Sequence, residues 1–120
     1  MTAAPPSLDR LAALLPRGWS RGSAARWRAD DPAAGQCNVT AVLAHELLGG
    51  EILKTRVGTS WHFYNRLDGM RHDLTASQFA APVAHDDVAS SRAEAMAGIL
   101  PAEYAALRGR VLALLAGGAA

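Results

Sequence analysis

Apolar positions along this chain recur first at helical spacing, then in short alternating runs, then at helical spacing again. Leu8, Leu11, Leu14 and Leu15 repeat behind Ser7, a residue suited to capping, and Pro16 and Gly18 are expected to close this first helix. Val39, Val42, Leu43 and Leu47 mark one apolar face of a second helix, which begins at Cys37 after the loop Asp30 to Gly35 and stops at Gly49-Gly50. Glu51 to Arg56 reads as a strand. Trp61 to Leu67 reads as a second, aromatic one, and the dipeptide Asp68-Gly69 turns the chain so that Met70 to Thr75 returns antiparallel. Ser91 to Ile99 predicts a helix, and Pro101 to Leu115 a longer one, with Tyr104, Leu107, Val111, Leu114 and Leu115 as its buried stripe. This order predicts an α+β fold: the Cys37 helix on a short antiparallel sheet, flanked by N- and C-terminal helices.

Length and composition narrow the function classes. The 120 residues, half of them hydrophobic, suit one compact domain over residues 1–120. The net charge is +1, and 11 of the 12 basic residues are Arg, the exception being Lys54. Arg17, Arg21, Arg26 and Arg28 alternate with Trp19 and Trp27, a combination that can contact phosphates and stack on bases. Given the near-neutral charge, the expectation is instead that the tryptophans cover the core edge while the arginines stay in water, so no nucleic-acid partner is expected. One cysteine excludes an internal disulfide framework. No basic leader and no apolar run long enough for a bilayer stands near Met1, so a cytoplasmic location without membrane contact is expected.

The candidate chemistry starts from Cys37. At a helix mouth, unpaired N–H groups and the helix dipole favour a thiolate, which makes this sulfur a candidate nucleophile. If Asp68-Gly69 is the whole turn, Leu67 faces Met70, Arg66 faces Arg71, Tyr64 faces Asp73 and His62 faces Thr75. Asp73 is then the diagonal neighbour of His62, about 7 Å away between backbones and closer between side chains. Cys37, His62 and Asp73 are the parts of a thiol site: attacker, base, and the group that orients the base. Gln36 or the Cys37 backbone N–H is placed to donate to an oxyanion. Trp61, Tyr64 and Asn38 are the candidate substrate-binding residues. The same alternation sets His62 and Tyr64 on one hairpin face and Trp61 and Phe63 on the other, so a helix packed on the apolar face would separate Cys37 from His62. One workable geometry has the helix crossing the strand ends, packed partly on Ile52 or Leu53. His85 falls in the polar stretch Ala84 to Asp87, and His45 in a solvent-facing helix position. No CxxC, HxH or HExxH spacing and no glycine-rich phosphate motif occurs, so no metal and no cofactor are expected.

Gly18-Trp19-Ser20, Trp27, Asp31 to Cys37 with Val39-Thr40-Ala41, Gly49 to Leu53, His62-x-Tyr64-Asn65-Arg66, and Asp73-Leu74-Thr75 with Gln78-Phe79 together resemble the YunG-like family of small bacterial proteins. The order Cys, His, Asp, with the cysteine on a helix and the others on following strands, is similar to the papain-like core of transglutaminase-like and NlpC/P60-like enzymes. That resemblance implies a small papain-like fold with Cys37 as nucleophile, His62 as base and Asp73 as orienter. The implied function is acyl transfer on an amide, peptide or thioester substrate: hydrolysis, deamidation or transamidation. The alternative is a non-catalytic binding module that keeps the fold and meets a protein partner.

Overall fold

The computed structural model describes residues 5–117. Among these residues four helices and four strands follow in the order α1 (Leu8–Gly18), α2 (Cys37–Leu48), β1 (Glu51–Val57), β2 (Ser60–Leu67), β3 (Met70–His72), β4 (Val88–Ala89), α3 (Arg92–Ala97) and α4 (Pro101–Leu115), with a 3-10 turn at Ala76–Gln78. The strands form one antiparallel sheet in the order β3-β2-β1-β4. The α+β class stands.

Ser7 caps α1 by accepting from the Arg10 N–H at 3.1 Å, as its residue type implies. The helix nevertheless runs through Pro16 to Gly18 instead of closing there. Proline removes one donor in the last turn, and the carbonyl it would have served belongs to exposed Ala12, where water can replace it. This extension lets Leu11 and Leu15 bury fully and lets α1 pack on α4 around Leu107 and Val111. Each such leucine contributes about 1.5–3 kcal/mol by leaving water.

The second helix is buried all round over Val39 to Ala44, not on one face. It packs against β1 and β2 on one side and against α1, α3 and α4 on the others. Its one polar side chain in that stretch, Thr40, accepts a hydrogen bond from Trp19 Nε1 at 2.9 Å. Trp19 is thus buried at the core edge, while Arg21, Arg26 and Arg28 remain exposed or partly so. Gly50, at φ +73°, begins the passage into β1 so close to β2 that a Cβ there would stand 2.3 Å from the Arg66 carbonyl oxygen.

The Asp68-Gly69 turn holds its expected register, with Leu67 opposite Met70, Arg66 opposite Arg71 and Asn65 opposite His72. The return strand stops at His72, three residues short of Thr75. Asp73 ends the ladder because its side chain turns the backbone, accepting from the Thr75 N–H at 3.3 Å. The chain beyond it wraps the sheet face opposite α2, where the Thr55 hydroxyl donates to the Ala84 carbonyl at 3.0 Å and the Tyr64 hydroxyl donates to Asp87 at 3.0 Å. Val88–Ala89 then adds a fourth strand beside β1 that has no alternating signal of its own. Among the described residues no helix is long and apolar enough to cross a membrane.

Candidate active site

Asn65 Nδ2 donates to the Ala41 carbonyl at 3.0 Å, which seats α2 on the sheet face that carries Phe63 and Asn65. By alternation His62 and Tyr64 point to the other face. The conflict foreseen between the two faces is resolved at the sheet edge. Because β3 pairs only with Asn65 to Leu67, the first half of β2 has no third strand beside it. Around that edge the mouth of α2 meets the chain that leaves β3: the Gly35 N–H donates to Gln78 Oε1 at 3.3 Å, and Gln78 Nε2 donates to Thr75 Oγ1 at 3.0 Å.

His62 is 2% exposed and sits at this junction. Its Nε2 lies 2.7 Å from Asp73 Oδ2. The ring is also held edge-on by Phe79, with centroids 4.8 Å apart. Burial opposes a charge on the imidazole, but the hydrogen bond to Asp73 and the interaction with Cys37 outweigh it and raise the pKa to about 9. With Nε2 occupied by Asp73, Nδ1 is the ring nitrogen that this carboxylate does not engage. Burial pushes the Asp73 carboxyl up, and hydrogen bonds from His62 and His85 more than reverse that, holding it below the ordinary carboxylate value. Cys37 itself is the first residue of α2 and half-buried, with its thiol 3.3 Å from Asn38 Oδ1.

The remaining candidates occupy different places. Gln36 is fully buried; its Nε2 donates to the Ser20 carbonyl at 3.2 Å and its Oε1 accepts from Ser23 at 2.8 Å, so its amide ties the Arg17 to Arg28 segment to the helix mouth. Asn38 donates to the Ala95 carbonyl at 2.9 Å, which fixes α3 beside Cys37. Tyr64 is 1% exposed, and its hydroxyl both donates to Asp87 and accepts from the Asp87 N–H at 2.8 Å. Trp61 is on the α2 face, with Lys54 and Arg56 each 4.1 Å from its ring centroid. The structure therefore gathers Cys37, His62 and Asp73 and leaves Trp61 outside that group.

One residue of the cluster escaped the sequence reading. His85 Nε2 lies 2.9 Å from the same Asp73 oxygen that faces His62, and its ring meets Tyr64 edge-on at 4.7 Å. It is carried by the covering chain, which Asp87 pins down. Asp87 receives a bidentate pair from Arg71 at 2.7 and 2.6 Å, and this guanidinium holds its carboxyl at about 2. Only the polar run around His85 could have pointed to it, and no periodic pattern locates such a segment over a strand.

Two cavities can be placed relative to Cys37 and His62. One of about 610 Å³ is lined by Pro5, Pro6, Arg10, Glu46 and Leu112, at the far end of α2 from Cys37. A second, of about 360 Å³, is lined by Arg56, Val57 and residues 79–84, and adjoins the His62 ring through Phe79.

The family model described as YunG protein matches residues 7–116. A protein of Bacillus subtilis (strain 168) named "Uncharacterized protein YunG" is 41% identical over 101 residues, covering 84% of this chain and 88% of that protein. No solved structure matches the chain.

Proposed function

The chain belongs to the YunG family, and from that premise we propose that it is a cysteine-nucleophile acyl-transfer enzyme built on Cys37, His62 and Asp73, with the papain-like order of parts. The observation that carries this reading is the His62 Nε2–Asp73 pair at 2.7 Å, on a ring whose raised pKa also reflects Cys37. The raised pKa of His62 favours its protonated form, which can serve as counter-ion to the attacking sulfur and as the acid for a leaving group. Asp73 stabilises that imidazolium and fixes the ring's orientation.

In the proposed reaction the Cys37 sulfur forms a bond to the carbonyl carbon while the carbonyl π electrons move to oxygen. Backbone N–H groups at the start of α2 are the donors for that oxyanion, since the Gln36 amide serves the fold. The intermediate collapses by breaking the carbon bond to nitrogen or sulfur of the leaving group, which takes the proton from His62. Water or an amine then gives its proton to His62 as it attacks the Cys37 thioester, and the thiolate departs. The groove bordered by Phe79 and residues 80–84, with Arg56 on its lining, suits an acyl portion with an apolar body. Incubation with an activated ester, followed by intact-protein mass spectrometry, tests this. An acyl adduct that maps to Cys37, disappears in Cys37→Ser and turns over in the parent supports the enzyme. A Cys37 that stays unmodified favours the binding-module reading, for which the internal commitments of Gln36 and Tyr64 speak.

A further inference from the structure

Three potential metal ligands converge at the Nε2 side of the His62 ring. His62 Nε2, one Asp73 oxygen and His85 Nε2 all lie within 4.8 Å of one another. The two imidazole nitrogens approach the same carboxylate oxygen, at 2.7 and 2.9 Å. Bonds of about 2.0–2.1 Å in a tetrahedral arrangement require ligand atoms about 3.3 Å apart, so the two nitrogen–oxygen separations need to open by about half an ångström while the two imidazole nitrogens, within 4.8 Å, draw together by up to about 1.5 Å. The side chains of His62, Asp73 and His85 are 3%, 6% and 16% exposed, which leaves access from the His85 side. Each ligand is held from behind: His62 by Phe79, His85 by Tyr64, and Asp73 by the Thr75 N–H. The set comes from a strand, a turn and a covering segment, 11 and 12 residues apart, and so carries no recognisable spacing.

We propose that His62, Asp73 and His85 form a binding site for one divalent ion of the zinc class, with a fourth position open, and that an ion bound there switches off the Cys37 site. Two imidazoles and a carboxylate suit such an ion better than magnesium or calcium, which prefer oxygen ligands. The blocking follows from the imidazole's own chemistry, and rests on the thiol reading above. When Nε2 gives its lone pair to a metal, the neutral ring carries its proton on Nδ1 and has no lone pair left to accept another. His62 then cannot exchange protons with Cys37 and the substrate, and Asp73 is drawn to the ion. Metal binding itself is independent of that reading.

The test titrates metal-free protein with Zn²⁺ against a chromophoric chelator, and separately with Co²⁺ while recording its visible absorption. The expected result is one ion per chain, a Co²⁺ spectrum of low-coordinate type without a thiolate charge-transfer band, and undiminished binding in Cys37→Ser. Binding should fall by at least about 100-fold in His85→Ala. In ¹⁵N-histidine-labelled parent protein, Zn²⁺ should shift the Nε2 resonances of both His62 and His85, a readout that holds even if the variant folds poorly. Absence of stoichiometric binding, binding that survives His85→Ala, or loss of binding in Cys37→Ser would each overturn the site. Failure here leaves the acyl-adduct result untouched. Zn²⁺ that binds as expected yet leaves Cys37 reactivity unchanged would retain the site and reject the switch.

Discussion

Asp73 Oδ2 stands 2.7 Å from His62 Nε2, although Asp73 lies just outside the β2–β3 ladder. The carboxylate reaches the ring because the backbone leaves the sheet at that residue, and this bond, with a smaller contribution from Cys37, sets the charge of a nearly buried imidazole. Burial by itself favours the neutral ring. Asp73→Asn is therefore expected to lower the His62 pKa from about 9 by at least about one unit. Histidine ring NMR titration reads this directly; an unchanged value would mean that Asp73 does not govern the ring.

The same shift makes stability depend on pH, with a definite sign. The folded-state pKa of His62 is raised from 6.5 to about 9, so its contribution is fully present below the lower value and is lost as pH rises through the upper one. Within that window the unfolding free energy should fall by up to about 1.4 kcal/mol per pH unit. On the acid side Asp73 behaves oppositely, its contribution disappearing as pH falls through its depressed pKa. Urea unfolding across the pH range measures both limbs, and His62→Gln should flatten the alkaline one.

Asp87 is a clamp. It has a positive φ of 53° and holds Tyr64 and Arg71 together through three side-chain hydrogen bonds. Asp87→Ala should raise amide exchange across residues 79–87 and release His85 from Asp73, with a stability loss of about 1–3 kcal/mol. Hydrogen exchange read by mass spectrometry distinguishes a local opening there from a global loss of structure.

Gly50→Ala should destabilise more severely than an ordinary surface change. The new Cβ would meet the Arg66 carbonyl oxygen at 2.3 Å and Leu67 Cδ2 at 2.6 Å, on a residue whose φ is +73°. The strand that carries His62 would have to shift, at a cost of about 2–4 kcal/mol. Gly49→Ala makes the useful comparison, since its φ is +80° but nothing lies within 4 Å. The difference between their thermal midpoints isolates the steric part.

How much of this was legible in the sequence depended on whether a signal was local. The Ser7 cap, the α2 stop at Gly49-Gly50, the Asp68-Gly69 register and the bounds of α4 rest on local preferences, and the structure has all of them. The register placed Asp73 near His62, and the departure of the backbone from the sheet at Asp73 completed the approach. Pro16 misled because a proline in a last turn costs little when the orphaned carbonyl faces water. The end of β3 was misjudged because an aspartate side chain, not a periodic pattern, breaks the ladder. The encirclement of α2, the two-residue β4 and the arrival of His85 over Tyr64 are tertiary facts, settled by what covers each face of the sheet.

The measurement that tests the central claim most directly is the rate at which iodoacetamide alkylates Cys37 as a function of pH, in the parent and in His62→Gln and Asp73→Asn, with circular dichroism as a check on folding. The account predicts fast modification at neutral pH that falls at least about tenfold in His62→Gln and by a smaller factor in Asp73→Asn. Equal rates in all three folded proteins would contradict it and leave Cys37 as a residue of the helix mouth with no chemical role.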